Sequence, residues 1–130
     1  MSGPNNNYGD PYGNHLATII TTQSLVTADA TPTVAFNYPL DAGSARGFNV
    51  SARCFDDAGA VAGYYERRAL FKRTSSGTSA QVGSTIVIGT DLETDGGLDV
   101  TLALSTNTVQ ISVTGKASTT LRWRLVVEAN

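Results

Sequence analysis

His15 and Cys54 are the only histidine and the only cysteine in the chain. They bound the chemistry at once. Nucleophilic catalysis needs a base beside the nucleophile and a third group that orients the base. The single imidazole lies in a polar N-terminal stretch, NNNYGDPYGNH, that offers nothing to hold it. Zinc needs three or four Cys and His ligands, and only two such residues exist. One cysteine forms no internal disulfide, and Cys54 stands between Ala52 and Phe55 in a strand-like run, so it reads as an inert buried thiol. No glycine-rich phosphate loop opens a helix and no dinucleotide fingerprint is present. No catalytic residue, metal ligand or cofactor is expected, and the chain reads as non-enzymatic.

Two clusters deserve a closer test. Residues 91–99, DLETDGGLD, place oxygens at alternate positions with a glycine after the third, as a calcium loop begins. The twelfth position should hold a bidentate Glu but holds Leu102, and the flanks alternate like strands. The segment reads as an acidic turn, with a weak calcium site left open. Arg67, Arg68, Lys72, Arg122 and Arg124 form a basic stripe if their strands are neighbours, either an interface for the acidic turns of another subunit or only a solvated face. Trp123 alternates in phase with Leu121 and Leu125 and reads as core. A sugar platform is the competing role, and Tyr64 and Tyr65 are the plausible surface aromatics for a glycan.

The elements that must position these residues are strands. Residues 47–55, 64–73 and 80–88 alternate apolar and polar residues, as do three runs between 98 and 130. Pro32 and Pro39 bracket residues 33–38 and put that strand at an edge. Turn chemistry (DDAG, TSSG, STNT) separates the runs. About eight strands at this spacing predict an all-β fold, a single antiparallel β-sandwich of jelly-roll-like kind over residues 16–130. The last three runs predict a closing three-stranded meander. A chain of 130 residues buries a core of its own, roughly two-thirds of its unfolded surface.

Residues 1–15 form a separate zone of Asn, Gly, Pro and Tyr without periodicity. It reads as an extended arm, with Tyr8 and Tyr12 as anchors on a partner. It has neither the basic start nor the apolar core of a signal peptide. No apolar run approaches the ~20 residues of a membrane helix, and the net charge of −2 points to neither nucleic acid nor an anionic membrane.

Several stretches also resemble a β-sandwich module of tailed-phage virion proteins. They are Leu98-Asp99-Val100, Ile111-Ser112-Val113-Thr114-Gly115 and Leu121-Arg122-Trp123, preceded by Phe71-Lys72-Arg73 and Val82-Gly83-Ser84. The resemblance runs from about Arg46 onward and implies a virion structural protein assembled in the bacterial host cytoplasm. A small domain with an arm and no fibre shaft is then expected to be a capsid decoration or cement protein, with the major capsid protein and copies of itself as partners, as a homotrimer. The alternative is a short tail-fibre or receptor-binding component that contacts a host surface glycan or protein. A carbohydrate-binding module of a bacterial surface protein is a third class. The missing signal peptide and single Trp weigh against it.

The arm gives a direct test. An extended arm of this length reaches about 50 Å, and one that orders only on a partner adds nothing to its own domain's core. Deleting residues 1–15 should leave the melting temperature of the isolated domain unchanged while weakening self-association in sedimentation equilibrium. Equal association by the truncated chain would reduce the arm to a tail.

Overall fold

A computed structural model describes residues 18–130. Nine strands and no helix occur among the described residues. They are β1 (Ile19–Thr27), β2 (Thr33–Pro39), β3 (Ser44–Phe55), β4 (Ala62–Arg73), β5 (Ser79–Val87), β6 (Leu92–Glu93), β7 (Asp99–Ser105), β8 (Thr108–Thr114) and β9 (Leu121–Ala129). Five form a sheet in the order β1-β9-β3-β4-β5, and the short β6 also pairs with β4. The other three form a second sheet, β2-β8-β7. Every pairing is antiparallel. The all-β sandwich is therefore as the alternation requires, and β2 lies at an edge as its bracketing prolines demand. The element without a sequence signal is β6, two residues inside the segment read as an acidic turn.

One expectation is corrected. The last three runs are not a meander. β7 and β8 do form a hairpin, joined through Thr106 and Asn107, with Thr106 in the left-handed region at φ 57°. β9 instead leaves the small sheet and inserts between β1 and β3 in the large one. Alternation does not distinguish the two outcomes, because the inner faces of both sheets pack on the same core. The link through Gly115 crosses against the chain after β1. A Cβ there would collide with Thr27 and with the Asp29 carbonyl, so only glycine lets the strand pass.

The inner face of the large sheet carries Phe48, Val50, Ala52 and Cys54 from β3, Tyr65 and Phe71 from β4, and Leu121, Trp123, Leu125 and Val127 from β9. Opposite them stand Val100 and Leu102 from β7 and Val109, Ile111 and Val113 from β8. Alternate residues of each strand thus enter one core. Polar groups of Trp123 and Tyr65 inside it are paired. The Trp123 indole donates to Thr27 Oγ1 at 2.9 Å, and the ring stacks on Tyr65 with centroids 6.2 Å apart. The Tyr65 hydroxyl donates to Glu93 Oε1 at 2.9 Å. A Cβ at Gly63 would fall 2.5 Å from that hydroxyl, so the tyrosine needs glycine two residues earlier on its strand.

Arg67 is also inside, 4% exposed. Nη1 and Nη2 clasp the two oxygens of Asp91 at 2.7 and 2.9 Å, and Nη2 reaches Asp99 at 3.3 Å. Nε donates to the Val100 carbonyl at 3.1 Å, Nη1 to the Glu66 carbonyl at 3.1 Å, and the guanidinium lies over the Tyr65 ring. The Asp91 hydrogen bonds hold its pKa above the already high arginine value, against the cost of burial.

Trp123 is 2% exposed at the middle of this core. Trp123→Ala should lower unfolding free energy by roughly 3–5 kcal/mol, read from denaturant melts. A midpoint that barely moves would place the ring outside the packed core.

Candidate functional site: the outer face of the large sheet

The parity that buries one half of each strand presents the other half outward. In register across β1, β9 and β3, Val26 stands beside Arg122 and Phe55, and Ser24 beside Arg124 and Arg53. Across β3 and β4, Arg53 pairs with Tyr64, Ser51 with Glu66 and Asn49 with Arg68. This face exposes large side chains: Val26 is 61% exposed, Phe55 49% and Tyr64 41%. The outer face of the small sheet is different in kind, made of Val34, Asn37, Thr101, Ala103, Gln110 and Ser112, with neither an aromatic ring nor a charge among them. Interfaces favour aromatic residues and arginine, which selects the large sheet.

A groove of about 370 Å³ opens between β1, β9 and β3. Val26 and Phe55 give it apolar walls, and Arg53, Arg122 and Arg124 bring three guanidiniums to it. Arg122 pairs with Asp57 at 2.8 Å, both largely exposed.

The basic residues singled out in the sequence divide. Arg68, Lys72, Arg122 and Arg124 do face outward. Arg67 does not: it sits at the opposite parity of β4, its charge spent on Asp91 and Asp99 within the fold, and it is removed from any surface stripe. β4 and β9 are not neighbours, for β3 runs between them and adds Arg53, which the sequence reading passed over. Arg68 Nε donates to Asn49 Oδ1 at 3.0 Å. Tyr8, Tyr12 and His15 lie outside the described residues. Of the two candidate aromatics, Tyr65 is buried, its hydroxyl pKa raised by burial and then by Glu93, so it is no glycan platform. Phe55 takes its place. The signal was available, since Phe48, Val50, Ala52 and Cys54 share one parity and Phe55 falls on the other.

The acidic segment is occupied by the chain's own cations. Asp91 and Asp99 hold Arg67, and Asp95 pairs with Lys116 at 3.0 Å. The Gly97 amide and then Lys116 draw the Asp95 pKa below the ordinary value. A guanidinium therefore stands where a calcium ion would need the Asp91 oxygens. Among the described residues no three His, Cys, Asp or Glu side chains cluster for a metal. Cys54 is buried, and burial pushes its thiol pKa up to about 11.

No protein-family model and no curated protein sequence matches the chain. Three solved structures are similar to it. The tailspike protein of Acinetobacter baumannii phage AM24 aligns over 86% of this chain and 26% of its own, at 8% identity and a TM-score of 0.48. The tailspike protein of Acinetobacter baumannii bacteriophage Fri1, a capsular polysaccharide depolymerase, aligns over 85% of this chain and 17% of its own, at 18% identity and a TM-score of 0.38. The tailspike protein of Acinetobacter phage vB_ApiP_P1 aligns over 99% and 24%, at 15% identity and a TM-score of 0.36. The chain thus spans about a quarter or less of their lengths. All three are phage tailspike proteins and none is a capsid decoration protein. The expectation of a non-enzymatic chain is corrected here to this extent: the Fri1 protein is a capsular polysaccharide depolymerase, hence an enzyme.

The outward residues of the groove carry none of the core's packing. Phe55→Ser and Arg124→Ser should each change unfolding free energy by no more than about 0.5 kcal/mol. A loss well above ~1 kcal/mol in either would make the residue structural.

Proposed function

We propose that this chain is a β-sandwich domain of a tailed-phage tail component, of tail-fibre or tailspike type, and that the outer face of its large sheet contacts a glycan or protein of the host surface. The observation that carries this reading is the composition of that face. Phe55, Tyr64 and Val26 stand exposed among Arg53, Arg122 and Arg124, while the small sheet turns outward a face without aromatic or charged side chains. Exposed aromatics with arginine beside them are the side chains that anchor recognition surfaces. The resemblance of residues from Arg46 onward to virion modules supports placing it on a phage particle. Contact with a major capsid protein belongs to the decoration reading, which this face does not call for.

The same reading has the domain carried as a homotrimer. An apolar strip of Leu70, Val82 and Ile86 along β4 and β5, at the free edge of the large sheet, supports packing against another copy.

Immunogold labelling of intact particles with antibody to the domain separates the two locations. Gold at the tail, a few to tens of particles per virion, is the expected result, together with sedimentation of the purified domain with host cells. Gold spread over the head would return the decoration reading, and a domain that stays in solution with host cells would remove the receptor role.

A further inference from the structure

Arg53 and Arg124 are direct cross-strand partners on the outer face of β3 and β9. Like charges directly opposite one another on paired strands destabilise a sheet. Neither has a hydrogen bond or an ion pair among the described residues, and the third guanidinium of the cluster, on Arg122, has already taken Asp57. Three positive charges face one carboxylate, in a chain whose net charge is −2. Nothing in folding requires this, since Ser or Thr at either position would hold the strand equally well. The pair is arranged for an anion that the chain does not supply.

The surroundings narrow the anion. A guanidinium matches a carboxylate with two parallel N–H···O bonds, and two facing guanidiniums make a clamp around one such group. Phe55 and Val26 lie one register step away and provide an apolar surface for the C–H face of a ring. The groove volume of about 370 Å³ lies within the ~300–1,000 Å³ of small-ligand sites. Along the same face Glu128 and Glu66 follow on β9 and β4, flanking Asn49 and Ser51. Arg68 stands on the same stretch, cross-strand from Asn49, so beyond the groove the positive charge is broken up by carboxylates into a mixed face. That suits one anionic group set between neutral rings better than a continuous phosphate backbone.

We propose that this groove binds a carboxylate-bearing sugar residue of an anionic surface polysaccharide. Arg53 and Arg124 hold the carboxylate, Phe55 and Val26 take the ring's apolar face, and Arg122, held by Asp57, closes the end of the groove. This rests on the outer face being the host-contacting surface.

The test uses the full chain, labelled with ¹⁵N, titrated with a glucuronic-acid tetrasaccharide, a neutral glucose tetrasaccharide, inorganic phosphate and a polyglutamate peptide. The uronate should shift the Arg53 and Arg124 Nε–H resonances and the Phe55 amide, and bind at least tenfold more tightly than the neutral sugar. Its affinity should fall as salt rises. The Arg53→Gln/Arg124→Gln variant should lose at least tenfold, while Arg68→Gln, on the same face but outside the groove, should bind as the parent does. Retained folding of each variant is read from the same spectra. Equal binding of neutral sugar and uronate, or of polyglutamate and uronate, would overturn the saccharide assignment. Phosphate alone matching the uronate would mean an adventitious anion site. Sedimentation with host cells separates the two levels. A parent chain that binds cells but not uronate refutes this inference and leaves the host-contact reading standing, whereas one that binds neither refutes both.

Discussion

The guanidinium of Arg67 makes the most heavily bonded polar tie between the two sheets, which also meet through Arg73 Nη1 on the Leu40 carbonyl at 2.7 Å and Ser79 Oγ on Asn107 Oδ1 at 2.6 Å. It rises from the inner face of the large sheet, meets Asp91 on the loop before β6, and reaches Asp99 and the Val100 carbonyl on β7 of the small sheet. Hydrophobic contact holds two sheets together but tolerates sliding, since it has no direction. A fork of fixed donors with each partner in place sets the relative position of the sheets. A buried charge costs several kcal/mol in lost hydration, about what good geometry and full pairing return. Arg67 is thus better understood as a device of registry than as a source of net stability. Tyr65 lies beneath it and passes the constraint to Trp123 through their stacked rings.

This inward use of charge explains the outward face. Asp91, Asp95 and Asp99 are engaged by Arg67 and Lys116, so the acidic segment closes the fold and leaves no open oxygen cage. Of the arginines at the opposite parity, Arg122 takes Asp57, while Arg53 and Arg124 are left without a carboxylate among the described residues. One strand, β4, shows both outcomes in adjacent residues. Arg67 is drawn in and saturated, while Arg68 is outside and hydrogen-bonds to Asn49. The large sheet is therefore two surfaces with separate duties, and side chains on the outer one can change without disturbing the core.

Much of this was legible in the sequence, because period-two alternation is a local property. The core positions of β3, β7, β8 and β9 follow from it, as does the edge position of β2 from its prolines. Two things did not follow. The sheet that receives β9 is decided by which strands flank it, β1 and β3, each far away in sequence, and its own alternation fits either sheet. The burial of Arg67 was hidden for the same reason. A charged residue in a charged strand reads as surface, and its partners are 24 and 32 residues away. Only the folded register brings Asp91 and Asp99 to it. The outward groove was half legible: Arg122 and Arg124 stood out and the parity of β3 already turns Phe55 outward, while Arg53 joins them only when β3 is set beside β9.

The most direct test of the account is a double-mutant cycle on the clasp between the sheets, with Arg67→Met, Asp91→Asn and the double variant unfolded in denaturant. If the guanidinium and the carboxylate act as one unit, the two substitutions will be strongly non-additive, with a coupling of about 1–3 kcal/mol. Losses that simply add, within ~0.5 kcal/mol, would contradict it, and the two sheets would then be held in place by apolar packing and the contacts of Arg73 and Ser79 without the clasp.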